Sequence, residues 1–127
     1  MDINLTEPLA ELEVAFARYE AALMANDLAT LDALFAPAAT TIRYGIGENL
    51  YGIEEIRRFR AARSTAGLTR RLSRTVITTY GRDFGIASTL FHRASSPGKV
   101  GRQMQSWVRS ESEWRIVAAH VSIIDAG

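Results

Sequence analysis

Apolar residues in the first part of the chain recur at helical spacing. Between residues 6 and 25 the larger apolar side chains lie three or four positions apart, so they share one helix face. They are Leu9, Leu12, Phe16, Tyr19 and Leu23. Thr6 is predicted to cap this helix. Asn26 and Asp27 are predicted to end it and to cap a second helix, which Pro37 stops.

A short strand and a loop are predicted before a third helix. Residues 40–44, with the sequence TTIRY, are typical of a strand. Glycines bracket residues 45–52 and indicate a loop. The third helix is predicted over 53–63. Glu54 and Glu55 lie in its first turn, where their negative charges interact favourably with the positive end of the helix dipole.

The second half of the chain changes to β-type patterning. Segments rich in β-branched and aromatic residues alternate with turn sequences such as GRD, SSPG and SESE. The predicted strands cover 70–80, 84–93, 99–109 and 114–124. Tight turns between four long strands predict an antiparallel meander. Because the helices come first and the sheet last, the fold class is α+β, with the helices on one face of the sheet.

A sheet of this kind buries the apolar face of the first helix by curling around it. The expected result is a cone, open at one end, with an internal pocket between helix and sheet. Concave pockets of this type are the default ligand sites of small domains. We expect the whole chain, residues 1–127, to form this single domain.

Composition narrows the possible functions. The chain has 127 residues, of which 47% are hydrophobic and 23% charged, as in an ordinary globular domain. A net charge of +1 argues against nucleic acid as the main partner. No apolar run is long enough for a transmembrane helix, and the acidic first residues do not resemble a targeting peptide. The expected location is therefore the cytoplasm.

Two residues are the main candidates for chemistry. Tyr19 lies on the apolar face of the first helix, so it is either a core residue or an acid and hydrogen-bond donor at the floor of the pocket. Arg43 interrupts the short strand. It is either a surface residue on an edge strand or an inward-facing clamp for a substrate carboxylate, since a buried guanidinium requires an anion.

Other polar residues are weaker candidates for substrate contacts. Gln105, His120 and Ser122 lie on the last two predicted strands, and alternation alone does not tell which strand face is concave. His120 is either a core residue or a pocket donor. The arginines of 57–74 are expected to form a solvated face, except Arg63, which lies seven residues after an isoleucine on the same helical side.

Several classes of site are not expected. Two histidines, no cysteine and no carboxylates at chelating spacing make a metal site improbable. The glycine-rich loop is not a dinucleotide fingerprint, and no nucleophile or phosphate-binding motif is found. We therefore expect no cofactor.

The sequence resembles a known family over residues 3–124. The stretches that carry the resemblance are FARYEAALMANDLATLDALF, TIRYGIGENLYGIEEIRRFRAAR, RTVITTYGRDF, GRQMQSWVR and WRIVAAHVS. They are similar to the AtzH-like family, small proteins of cyanuric acid and oxalurate catabolism. That family lies within the SnoaL-like or nuclear-transport-factor-like superfamily of cone folds.

The resemblance implies a place in nitrogen catabolism. Members accompany amidase-signature hydrolases that act on carboxylated ureas. The activity implied here is that of a decarboxylating amidohydrolase that converts dicarboxyurea into allophanate. Matched by motif, Tyr19 and Arg43 would be its catalytic pair. Gln105, His120, Ser122 and Arg63 would complete the contacts to a small anionic carboxyurea.

Two other functions stay open at this point. The domain could be a non-catalytic binder that holds an intermediate for a neighbouring amidase-signature hydrolase, since fold does not fix function. It could also be a carbon-acid isomerase or cyclase. We further expect a homodimer, because apolar residues occupy both faces of the last two strands and large exposed apolar patches are uncommon on monomers.

Overall fold

The computed structural model describes all residues, 1–127, and its elements follow the predicted order with one additional strand. The elements are α1 (Thr6–Ala25), α2 (Leu28–Leu34), β1 (Ile42–Tyr44), β2 (Asn49–Tyr51), α3 (Ile53–Ala62), β3 (Arg71–Tyr80), β4 (Phe84–His92), β5 (Lys99–Ser110) and β6 (Glu113–Asp125). Strand β2 falls within the segment predicted as a loop. Its three residues are too few to show the alternation of apolar and polar side chains that marks a strand.

The junction between α1 and α2 is set by two adjacent side chains. Asn26 takes a left-handed conformation with φ of 50° and ends α1. The Asp27 carboxylate accepts a hydrogen bond from the Thr30 N–H at 3.2 Å and caps α2, as predicted. At the other end of α1 the prediction was wrong, since Leu5 is in the N-cap position and no side chain caps the helix.

The six strands form one curled, mixed sheet in the order β2-β1-β6-β5-β4-β3. Strands β3 to β6 form the predicted antiparallel meander. Strand β1 pairs in parallel with β6, so the sheet is not antiparallel throughout. This parallel pair joins residues about 76 positions apart, a contact that no local pattern encodes. The pairing brings β1 and its hairpin partner β2 to the edge of the sheet.

A β-bulge on β6 exchanges the two faces of that strand. Trp107 pairs with Ile116 and Ser106 pairs with Ala118, which leaves Val117 without a partner. One extra residue shifts the alternation by one position. Ile116 is therefore buried before the bulge, while Ala119 and Val121 are buried after it.

The core fills the space between α1 and the concave face of the sheet. Leu12 and Trp107 are 0% exposed, and full burial of one such side chain contributes about 1.5–3 kcal/mol. The Trp107 Nε1–H donates to Gln105 Oε1 at 3.1 Å, so the indole is buried with its polar atom satisfied. Gly85 lets α1 approach closely, because a Cβ there would overlap the side chain of Leu12.

None of the helices is both long enough and apolar enough to cross a membrane.

Candidate functional site

A cavity of about 200 Å³ lies between the β1–β2 hairpin, the end of α3 with the loop after it, and the end of β4. We call it the arginine cavity. Its lining residues are Arg43, Ile46, Glu48, Phe59, Arg63, Ser64, Ala66, Gly67, Leu68, Arg93 and Val121. The volume is below the roughly 300–1,000 Å³ that drug-sized ligands occupy, so the space suits a small metabolite.

Arg43 enters the cavity from β1. It is paired with Ala119, whose side chain is buried, so the parallel register turns Arg43 toward the concave face. Its side chain is 13% exposed, and Nη1 donates to Glu48 Oε1 at 2.9 Å. The guanidinium carbon lies 5.7 Å from the centre of the Phe59 ring, within cation–π range. Arg43 is thus an inward-facing arginine held by one carboxylate and one aromatic face.

The β1–β2 hairpin brings Glu48 onto Arg43. The Gly45 N–H donates to the Glu48 carbonyl at 2.9 Å, and the Gly47 N–H donates to Glu48 Oε2 at 3.2 Å. A Cβ at position 45 would overlap the Glu48 carboxylate and come within 2.9 Å of Arg43 Nη1. A side chain at position 45 would therefore have to displace the Glu48 carboxylate from Arg43, which glycine avoids.

Arg63 and Arg93 contribute guanidinium groups whose hydrogen bonds are incomplete. Buried Nε and Nη2 of Arg63 and buried Nε of Arg93 have no partner. Burial, and next the charge of Arg60, lower the pKa of Arg63 from its ordinary value. Burial and then Arg70 do the same to the pKa of Arg93. Unpaired buried donors on charged groups are costly, and an acceptor in the cavity would offset that cost.

The charge of the cavity is strongly positive. Three arginines and one glutamate line it, a formal charge of +2. Carboxylates, which only accept hydrogen bonds, match such a surplus of donors. The arrangement can bind a small anion with two negative charges.

Tyr19 lies in the core behind the cavity and is not among the residues that line it. It is 6% exposed, and its ring centre is 6.4 Å from that of Phe35. The Arg60 guanidinium carbon lies 4.8 Å from the centre of the same Phe35 ring. Burial lowers the pKa of Arg60, and the nearby Tyr19 hydroxyl opposes that shift. Tyr19 is thus near Arg60 and Arg63, at a position that is buried and outside the cavity lining.

Two further arginines near the site are structural, and the predicted solvated face is wrong for both. Arg60 is 5% exposed and paired with Asp32 at 2.5 Å. Arg70 is 7% exposed, and its Nε and Nη2 donate to the two Glu20 oxygens at 2.9 and 2.6 Å. Each paired carboxylate comes from a different N-terminal helix. These ion pairs connect α3 and the residue before β3 to the helices, and neither arginine lines the arginine cavity.

The remaining sequence candidates divide between the two sheet faces. Gln105 is 1% exposed on the concave face and accepts from Trp107, without lining the cavity. His120 and Ser122 lie on the convex face, where His120 pairs with Met104 and Ser122 accepts from Arg102 Nε at 3.1 Å. Their assignment to the pocket was wrong, because the bulge at Val117 moved them to the opposite face.

Sequence reasoning did not identify Glu48, Phe59 and Arg93 as cavity residues. Arg93 had a usable signal, since it continues the inward alternation of Ala87, Thr89 and Phe91 along β4. Glu48 had none, because its position depends on the hairpin. No group of three or more histidine or carboxylate side chains is placed to hold a metal ion.

The comparisons with known proteins agree with the fold. The model of the AtzH-like family matches residues 1–127. A structure of a protein of unknown function from Pectobacterium atrosepticum is 59% identical, has a TM-score of 0.95, and matches 98% of this chain and 96% of that one. A cystatin-like fold protein from Burkholderia xenovorans is 43% identical, with a TM-score of 0.95 and coverage of 100% and 99%.

More distant structures share the fold alone. An NTF2-like protein from Streptomyces avermitilis, described as a candidate dehydratase, is 18% identical with a TM-score of 0.77, and the match covers 93% of this chain and 96% of that one. None of the curated proteins is significantly similar to this chain.

Proposed function

Since the chain belongs to the AtzH-like family, we propose that it is a cytoplasmic decarboxylating amidohydrolase that converts dicarboxyurea into allophanate in nitrogen catabolism. The observation that carries this proposal is the arginine cavity, which presents a formal charge of +2 and unpaired buried donors. Dicarboxyurea is a small planar urea with two carboxylates, so its charge and its acceptors match the cavity.

The reaction needs one proton and no cofactor. The C–N bond to one terminal carboxylate breaks, and its carbon leaves as carbon dioxide. The electron pair of that bond stays on nitrogen, which takes up a proton to give the amino group of allophanate. A group that supplies this proton in the transition state typically contributes about 10²–10⁴ in rate.

Two residues would divide this work. Arg43 faces the cavity, and its planar guanidinium suits two parallel hydrogen bonds to one carboxylate. Tyr19 does not line the cavity but lies near Arg60 and Arg63, and its proposed role is to supply the proton or to orient the urea in the substrate complex. Arg63 lines the same cavity and would contact the substrate directly. Gln105 supports the concave face through Trp107, so its proposed role is structural.

Turnover by the purified protein tests the proposal. Dicarboxyurea in large excess over protein should be consumed with release of carbon dioxide and allophanate, faster than in a protein-free blank. A non-catalytic carrier would instead saturate at one equivalent and would accelerate nothing. If loss of substrate requires an added amidase-signature hydrolase, the chain is an accessory binder and the proposed activity is wrong.

We also propose that two copies associate through the convex face of the sheet. Val76 and Met104 are 57% and 52% exposed there, in one row across the strands that ends at His120, and they line a groove of about 630 Å³. Exposed apolar residues grouped in this way are typical of an interface. Light scattering should give a dimer for the native protein and a monomer for Met104→Glu. A native particle of 14.0 kDa at micromolar concentration would contradict the proposal.

A further inference from the structure

Two of the three arginines of the cavity differ from Arg43 in having no acidic partner. Arg63 follows the last turn of α3 and Arg93 follows the last residue of β4, so they come from different walls. Neither forms a salt bridge, whereas Arg43 is already paired with Glu48. We propose that Arg63 and Arg93 together form a second carboxylate-binding end of the cavity, which makes the site select dianions over monoanions.

The hydrogen-bonding state of these residues supports a carboxylate as the ligand. The unpaired buried atoms are Nε and Nη2 of Arg63 and Nε of Arg93, all of them donors. A guanidinium Nε and one Nη form the planar fork that binds two carboxylate oxygens in parallel. Arg63 has this fork free. A neutral acceptor would satisfy these hydrogen bonds without balancing the positive charge, and a cationic ligand would be repelled, so an anion is the ligand that answers both.

Arg93 is held in position by an aromatic stack. The Phe91 ring is 1% exposed, and two guanidinium carbons lie near its centre, that of Arg70 at 4.6 Å and that of Arg93 at 4.9 Å. Phe91 pairs with Gly101, where a Cβ would overlap the ring. Arg70, the other guanidinium beside this ring, is itself fixed because it is bound to Glu20. Arg93 is thus oriented by packing, without a competing carboxylate.

Two carboxylate ends give the site a means of product release. The inference rests on the proposed function for the identity of the substrate. Dicarboxyurea would occupy both ends, while allophanate retains only one carboxylate. Loss of carbon dioxide then removes one anion from one arginine end, and the product binds less tightly than the substrate. Product release would follow from the chemistry itself.

Binding of small carboxylates tests the inference without turnover. Malonate is the dianionic probe and acetate the monoanionic probe, both measured by calorimetry at fixed ionic strength. We expect native protein to prefer malonate. Arg93→Gln should lower malonate affinity by about tenfold or more, since a desolvated charge pair is lost, and should leave acetate affinity within about twofold. Arg93→Lys should recover only part of the loss.

A matched control distinguishes the loss of a contact in the cavity from a general loss of positive charge on the protein. Arg82→Gln removes the same charge from an exposed turn outside the cavity, so it should leave both affinities unchanged. Equal losses of malonate and acetate binding in Arg93→Gln would overturn the inference, as would no loss of either. Arg63→Gln repeats the test from the other wall, with circular dichroism and a thermal melt to confirm folding.

The outcomes also separate this inference from the proposed function. Malonate binding that depends on Arg93, in a protein that does not consume dicarboxyurea, would support the dianion site and refute the activity. Turnover of dicarboxyurea with an unchanged KM in Arg93→Gln would support the activity and refute the second carboxylate end.

Discussion

Replacement of Tyr19 by phenylalanine separates a catalytic hydroxyl from a core ring. Tyr19→Phe removes one oxygen and keeps the aromatic ring against Phe35. The position is 6% exposed, so a loss of ring packing would strongly reduce stability, but this substitution keeps the ring in place. The effects on stability and on rate therefore test different properties of the same side chain.

The expected change in stability is small. The Tyr19 hydroxyl makes no hydrogen bond in the structure, so its removal leaves no partner unsatisfied. A typical buried hydrogen bond contributes only about 0.5–1.5 kcal/mol. We expect the free energy of unfolding of Tyr19→Phe to stay within about 1 kcal/mol of the native value, as measured by urea denaturation.

The expected change in rate is large. If the hydroxyl supplies or orients the proton for the departing nitrogen, its loss should lower kcat about tenfold or more. A tenfold loss corresponds to about 1.4 kcal/mol in the activation barrier. The KM should change little, because the carboxylates are held by arginines. The assay follows allophanate formation from dicarboxyurea, with spontaneous loss of carbon dioxide subtracted.

The control is a second tyrosine without a role in the site. Tyr80 lies at the end of β3 against Phe84, and Tyr80→Phe should keep the native kcat. If Tyr19→Phe consumes dicarboxyurea at the native rate, Tyr19 is only a core residue and the proton must come from elsewhere. If the free energy of unfolding of Tyr19→Phe falls by clearly more than about 1 kcal/mol, the hydroxyl has a structural hydrogen-bond partner.

Substitutions at Arg43, Gly45 and Asp27 test further parts of the structure. Arg43→Ala should lower substrate affinity and kcat/KM about tenfold or more, and Arg43→Lys should recover only part, because a point charge does not replace the planar fork. Gly45→Ala should displace Glu48 from Arg43 and cost about 1 kcal/mol of stability. In a double-mutant cycle, Gly45→Ala should cause no further loss of stability when Glu48 is already replaced by alanine. Additive losses of stability would contradict the proposed overlap. Hydrogen bonds from Thr30 lower the pKa of Asp27. The ionised carboxylate therefore stabilises the folded state at pH values above the ordinary carboxyl pKa. This stabilisation is lost as the pH falls through the lowered pKa. Asp27→Ala should accordingly reduce the melting temperature at neutral pH and much less at about pH 2.

The helices and long strands could be predicted because their signals are local. The spacing of Leu12, Phe16 and Tyr19 follows from burial against a sheet, and α1 begins and ends at the predicted residues. The meander followed from turn sequences and β-branched residues. Strand β2 was missed because three residues carry no period. The parallel pairing of β1 with β6 could not be derived, since it depends on how the whole sheet closes.

Two residues of the cavity, Arg43 and Arg63, could be predicted because each is a charged residue at a position where the local pattern is apolar. Arg43 interrupts an apolar strand, and that conflict marked it. Arg60 is a missed case, because it continues the buried face of α3 after Ile53 and Ile56 but was grouped with the surrounding surface arginines. His120 failed for another reason. One unpaired residue at the bulge reverses every later side chain on β6, and sequence alternation cannot show it.

The charge of the site follows from which arginines have acidic partners. Asp32 and Glu20, from the two N-terminal helices, neutralise Arg60 and Arg70 where the helices pack on α3 and β3. Glu48 balances only one of the three arginines that line the cavity. A chain with a net charge of +1 thus keeps a local charge of +2 in a confined space. Arginine suits such a place better than lysine, because its flat, weakly hydrated guanidinium stacks on Phe59 and Phe91 and still presents paired donors. Of the 15 basic residues in the sequence only Lys99 is a lysine, and at these positions the preference for arginine has a structural reason.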